Sequence, residues 1–343
     1  MRKHFTNILG NTDTKSRLFE SILSGTLPHA FLITGPNGSG KLTLATEIAA
    51  AMNCENGGND KTPLPCGICN SCRRIREGIF SDVKVLERSG KLTLGVEEVR
   101  EFREDMFLSA TESKYKFYFI KDADKMTSAA GNAILKVLEE PPNNVRIILL
   151  STEADKILTT IKSRTQFIQM EIFSYERLRE FVLERSDAAK RLYSSDKDKL
   201  KGILLASGGV IGNALKLLDE KNISDTEEKR DTVMNFISAL PKKASFSRLY
   251  SASLSLPQKR DELKAVLEQI LIAIRDMIAV KVSIDVQPLF FLSRSDAEEA
   301  LGSISAKRLT AIFDIITNAL SDIDRNVLIP PLLTDIAVRI KEA

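Results

Sequence analysis

At 343 residues with 43% hydrophobic content, the chain is long enough for two or three domains with sizeable cores. No Trp and 6% aromatics point away from a stacking-rich single-strand binder, and 49 basic against 46 acidic residues do not announce nucleic-acid binding, which leaves room for a local basic face. No run of about 18 apolar residues occurs, so no membrane span is expected. The start, MRKHFTNILGNTD, lacks the apolar stretch and cleavage site of a secretory leader, and cytoplasmic residence is the expectation.

Residues 1–173 alternate apolar runs with helical patterns. The runs AFLIT (30–34), VKVLE (83–87), FYFIK (117–121), IILLST (147–152) and FIQME (167–171) read as strands, several of them apolar enough for burial on both faces of a parallel sheet. Helices are expected over 42–52, 96–107 and 127–140, the last stopped by Pro141-Pro142. This alternation predicts an open α/β sheet with its ligand site beyond the carboxyl ends of the strands. From residue 174 the strand signal is gone. Residues 174–222 read as short helices separated by SSD and SGG, and NISDTEEKRD (222–231) reads as a linker. Residues 223–343 are helical, with apolar stripes through Leu263–Ile278, Leu309–Ile323 and Leu332–Ile340 that predict a bundle core.

The first strand runs into GPNGSGKLTL (35–44), a Gly-x4-Gly-Lys loop that opens a helix. Glycines let backbone N–H groups converge on phosphate, the helix N-terminus adds partial positive charge, and Lys41 reaches the outer phosphates. Gly35, Gly38, Gly40, Lys41 and Thr43 are the candidate phosphate residues, with ATP or ADP as the possible ligand. The residue after the lysine should carry a hydroxyl for Mg²⁺, and Leu42 cannot. A hydrolytic site also needs an Asp-Glu pair after the third strand; Lys121 and Asp122 stand there. An ammonium in place of a metal-binding carboxylate exchanges attraction for repulsion, about 4 kcal/mol per unit-charge contact at ~4 Å. The metal half of the site reads as dismantled.

All four cysteines fall within 19 residues, as Cys54, Cys66, Cys69 and Cys72. Disulfides are not expected in a cytosolic chain, and four thiolates are the ligand set of a closed, structural zinc site.

The stretches ILGN (8–11), LPHAFLITGPNGSGK (27–41), CGICNSC (66–72), NAILKVLEEPP (132–142) and Ser163-Arg164 resemble the bacterial clamp-loader subunits of the AAA+ class, the DNA polymerase III gamma/tau and delta-prime proteins. The resemblance covers 1–173 and, more loosely, the helical remainder. It implies an α/β AAA+ P-loop domain (1–173) with a zinc module at 54–72, a small helical lid (174–222), and an all-α collar for oligomerisation (223–343). It implies that Arg164 is an arginine finger acting in a neighbour's ATP site, and that Ser151 and Thr152 hold the first sensor position. SGGVIGNAL (207–215) aligns with the lid motif, where Gly212 stands in place of a phosphate-sensing arginine. Without the resemblance, Arg164 reads as a surface ion pair. A chain that lost its own catalytic residues but kept the one serving a neighbour resembles the delta-prime stator. The implied partners are gamma/tau and delta subunits in a hetero-oligomer, with the sliding clamp and primer-template DNA reached through the complex. The alternatives are a divergent gamma/tau-like ATPase motor and a zinc-containing P-loop scaffold outside replication.

Overall fold

Five apolar runs become five parallel strands, β1 (Ala30–Thr34), β2 (Val83–Leu86), β3 (Lys116–Ile120), β4 (Val145–Ser151) and β5 (Gln166–Gln169), hydrogen-bonded in the order β2-β3-β4-β1-β5. The structure is a computed structural model that describes residues 3–57, 61–88, 92–241, 245–284, 286–325 and 327–343, the side chains of 220–227 and 324 excepted. Residues 58–60 of the expected zinc module lie outside it. The chain divides into two units, 1–173 and 174–343.

In the first unit the elements are α1 (Thr12–Leu23), β1 (Ala30–Thr34), α2 (Lys41–Met52), α3 (Asn70–Glu77), β2 (Val83–Leu86), α4 (Val96–Asp105), β3 (Lys116–Ile120), α5 (Ser128–Glu139), β4 (Val145–Ser151), α6 (Thr159–Lys162) and β5 (Gln166–Gln169), with short 3-10 turns at Ala123–Lys125 and Ala154–Lys156. Strands β1 and β3 are buried along their whole length, as their apolar runs require, and Lys116 at the start of β3 is buried with its ammonium donating to the carbonyls of Asp105 and Leu108. Side chains alternate between faces, so one strand feeds two cores. Phe31 and Ile33 pack with Ile48 and Ala49 of α2, whereas Leu32 packs with Ile134 and Val137 of α5. The edge strands β2 and β5 are more open, and Val85 and Phe167 are exposed. Thr127 caps α5 by accepting from the Ala130 N–H, and α5 ends before Pro141-Pro142, which cannot continue a helix.

The ILGN stretch has a structural task. Gly10 has φ +56°, and a Cβ there would stand 2.3 Å from Phe173 Cε1. Beside it, the Asn11 N–H donates to Glu171 Oε2 at 2.7 Å, and the Glu171 N–H donates back to Asn11 Oδ1 at 2.9 Å. These bonds clasp the two ends of the unit together.

The second unit is helical among its described residues: α7 (Tyr175–Arg185), α8 (Asp187–Ser195), α9 (Lys197–Ala206), α10 (Ile211–Leu217), α11 (Glu220–Ser238), α12 (Phe246–Leu254), α13 (Arg260–Lys281), α14 (Arg294–Leu301), α15 (Ala306–Asp324) and α16 (Ile329–Glu342). The three apolar stripes fall on α13, α15 and α16 and meet in one core. The expected linker at 222–231 is instead part of α11, and the boundary drawn at 222–223 falls inside that helix. The segment contains no Gly or Pro, and its Glu, Lys and Arg residues are good helix formers; polarity alone suggested a linker. Among the described residues no helix is long and apolar enough to cross a membrane.

Candidate functional site

The loop between β1 and α2 follows from its glycines. Gly35, Gly38 and Gly40 have φ of +148°, +84° and +90°, values that side-chain-bearing residues rarely adopt. Gly40 caps α2, so the first-turn N–H groups of the helix, which have no intrahelical acceptor, open onto a cavity of about 730 Å³. Gly38, Gly40, Lys41, Leu42 and Thr43 line it, with Glu87, Arg88, Lys121 and Asp122 opposite. Lys41 Nζ donates to the carbonyls of Gly35 and Pro36 at 2.6 and 3.0 Å. Burial lowers the Lys41 pKa, and the carboxylates of Asp124 and Asp122 oppose that shift.

The metal side of the cavity is filled by ion pairs. Strands β2 and β3 run parallel with Leu86 opposite Ile120, so the next residues, Glu87-Arg88 and Lys121-Asp122, meet with complementary signs. Lys121 Nζ lies 2.5 Å from Glu87 Oε2, and Arg88 Nε and Nη2 donate to Asp122 Oδ2 at 3.1 and 2.9 Å. Sequence reasoning missed Glu87 and Arg88. Their signal was the charge pattern just past one strand, which mirrors the pattern past its neighbour.

Ser151 and Thr152, which the resemblance puts at the first sensor position, bind a carboxylate of their own chain. Ser151 Oγ donates to Asp124 Oδ1 at 2.9 Å, the Thr152 N–H donates to the same oxygen at 2.9 Å, and Thr152 Oγ1 lies 3.3 Å from Oδ2. Against the burial that would raise it, these bonds hold the Asp124 carboxyl below its ordinary pKa.

Arg164 lies elsewhere. It immediately precedes the β5 region, whose Gln166 pairs with Phe31 near the start of β1, whereas the glycine loop leaves the other end of β1. Five strand residues at about 3.3 Å each separate the two ends by ~16 Å. The guanidinium reaches Glu139 Oε1 through Nε at 2.8 Å and Nη2 at 2.6 Å, and Nη1 donates to Thr160 O and Ser163 Oγ. Arg164 and Glu139, with Pro28 and His29, line a shallow surface pocket. Gly212 is the second residue of α10 and has no side chain to offer.

The four cysteines converge. Their Sγ atoms all lie within 4.8 Å of one another, and Cys66 and Cys72 are 4.0 Å apart. A tetrahedral centre with ~2.3 Å metal–sulfur bonds has S···S edges of about 3.8 Å, so the set can hold a metal ion. The Cys69 N–H points at Cys66 Sγ and the Cys72 N–H at Cys69 Sγ, each at 3.4 Å, a pattern that favours thiolates. A hydrogen bond from Cys72 lowers the Cys54 thiol to about 5, while Cys54 and burial push Cys72 up.

A parallel sheet in this order, with a glycine–lysine loop between β1 and α2, defines a P-loop domain of the AAA+ class. Residues 10–174 match the family described as DNA polymerase III, delta subunit. A DNA polymerase III subunit gamma of Buchnera aphidicola is 32% identical over 245 residues, 71% of this chain and 66% of that protein. A subunit tau of Bacillus subtilis is 31% identical over 259 residues, 66% of this chain and 45% of that protein. The chain thus spans less than two thirds of the length of these curated relatives. A solved DNA polymerase III gamma subunit-related protein from Thermotoga maritima is similar with a TM-score of 0.43 at 18% identity, over 95% of this chain and 98% of that one.

Proposed function

We propose that the chain is a delta-prime-type stator of a DNA polymerase III clamp loader. It assembles with gamma/tau and delta subunits and lends Arg164 to an adjacent subunit's ATP site during loading of the sliding clamp onto primed DNA. The observation that carries this reading is the opposed placement of loop and arginine. Arg164 sits at the end of the sheet away from the chain's own loop, so it is available to a neighbour and not to its own site. A planar, permanently charged fork stabilises charge that develops in phosphoryl transfer, and such fingers are worth ~10³–10⁵ in rate in other nucleotide hydrolases. Glu139 holds the fork until a phosphate replaces it. Leu42, the ion-paired Lys121 and Asp122, and Gly212 support the view that the chain's own site does not hydrolyse ATP.

A second reading, a divergent ATPase motor, is favoured by the gamma and tau names of the relatives and by the intact glycine–lysine loop. Reconstitution with gamma/tau and delta subunits separates the two. Arg164→Ala should lower clamp-stimulated ATP turnover without preventing assembly, and unchanged turnover refutes the assigned role. Turnover by the purified chain alone, lost in Lys41→Ala, establishes the motor instead.

In either case Cys54, Cys66, Cys69 and Cys72 would hold zinc. A metal with four thiolates has no open position for chemistry; it closes the loop that leads into α3.

A further inference from the structure

We propose that the cavity where α9, α10, α11 and α13 meet in the second unit binds a small organic acid, its carboxylate held by the Arg230 guanidinium and its apolar body by the walls. The cavity encloses about 280 Å³, space for about nine waters at ~30 Å³ each, or for one ring and a carboxylate. Arg230 is fixed before any ligand arrives. Its guanidinium carbon lies 4.8 Å from the centre of the Phe290 ring, and Nη1 donates to the Phe290 carbonyl at 2.8 Å. Phe290 is itself anchored, because the buried Asp276 carboxylate of α13 accepts from the N–H groups of Leu289, Phe290 and Phe291. A guanidinium has five N–H donors, and among the described residues only the one bonded to Phe290 is engaged. No carboxylate of the described residues bonds to it. Burial lowers its pKa, and Asp296 and Asp231 oppose that shift only from a distance.

The walls supply both halves of the match. Lys216 and Lys229 join Arg230 in the lining, against the single carboxylate of Glu268, so the cavity favours an anion. Ala206, Leu217, Ala265 and the Phe290 ring give it apolar surface. A planar fork meets a carboxylate through two parallel bonds, which fixes the ligand's direction as a point charge does not. Inorganic phosphate would satisfy the fork but leave the apolar walls wet, so fork and walls together select an acid with a hydrocarbon part. Gly202, inside α9, keeps the space open. Glycine weakens a helix interior relative to alanine, so its place here has a cost. A Cβ at Gly202 would meet Arg230 Nη1 at 3.8 Å and Leu292 Cδ2 at 3.9 Å, both ordinary contacts, and its backbone is not left-handed. A larger side chain at that position can therefore fill the cavity without straining the helix.

The inference is independent of Arg164, because the site lies wholly within the second unit and is tested on the isolated full chain. Calorimetric titration with benzoate, phenylacetate and hexanoate decides it, with acetate, inorganic phosphate and benzamide as controls. We expect at least one of the three acids to bind with a Kd of about 1 mM or tighter, and every control to bind at least about tenfold more weakly. Arg230→Lys, which keeps the charge and loses the fork, should weaken that acid about tenfold. Gly202→Leu should abolish its binding with Tm unchanged or raised, which separates a filled cavity from a damaged fold. Wild-type affinity in Arg230→Lys or in Gly202→Leu places the ligand elsewhere and overturns the proposal. So does phosphate that binds as tightly as the acids, or no binding of any of the three acids at about 10 mM.

Discussion

Glu47 of α2 and Arg76 of α3 form a two-point ion pair: Arg76 Nε and Nη2 donate to the two Glu47 carboxylate oxygens at 2.7 and 2.9 Å. Glu47 is buried and also accepts from Asn7 Nδ2, so this pair joins the helix of the glycine loop to the helix of the cysteine cluster. Removing the arginine strands a buried carboxylate, whose cost in fully buried pairs is about 3–5 kcal/mol. Arg76 is partly exposed, and Arg76→Met should therefore cost about 2–3 kcal/mol in denaturant unfolding, with Glu47→Gln less harmful. A loss below about 0.5 kcal/mol in Arg76→Met would falsify the bracing role.

Metal analysis of the purified chain should find about one equivalent of zinc. Its removal by a chelator should lower Tm by about 5 °C or more, because binding energy at such a site is folding energy. Cys72→Ser should abolish retention, since Cys72 is fully buried and its Sγ is one of the four that converge. A metal-free chain with unchanged Tm rules the site out.

Gly10→Ala should destabilise the first unit by about 2–4 kcal/mol. The added methyl meets the Phe173 ring and Glu171 Oε2, and the backbone is in the left-handed region. Equilibrium unfolding measures the loss; a neutral result would show that Phe173 moves aside freely.

Acid should weaken the fold through Asp82 and Asp124. Asp82 accepts from the N–H groups of Thr111, Glu112 and Ser113 and from the Ser113 hydroxyl, and against burial these hold its pKa low. A folded-state pKa depressed below the unfolded value of about 3.9 contributes stability that is complete above that value and is lost as pH falls through the folded one. Stability measured from pH 6 down to 3 should thus decline below about pH 4. Asp82→Asn should lower stability at neutral pH and flatten the acid decline by about one proton. A variant that keeps the full slope would exclude Asp82 as its source.

Much of the sheet was legible because double burial leaves an unbroken apolar run, and AFLIT coincides with β1. The glycine loop and the cysteine spacing were legible because each is a local pattern. Partners distant in sequence were not: Glu87 and Arg88 are 34 residues from Lys121 and Asp122, and only the register of β2 on β3 pairs them. The Asp124 bonds to Ser151 and Thr152 hid in the same way, since a hydroxyl after a strand has no unique partner in sequence. Helix α11 was misread because its first half is polar and lacks an apolar stripe, and helix-forming residues without one resemble a solvated connector.

The parallel sheet gives the first unit two unlike ends, with a phosphate-type loop at one and Arg164 at the other. On the reading proposed above, contacts between such units are head-to-tail, and a head-to-tail contact has no intrinsic stop. A member that can donate at one end but cannot complete chemistry at the other supplies one. It fixes where a row of active sites begins, and so allows an assembly of counted length with an opening instead of an indefinite filament.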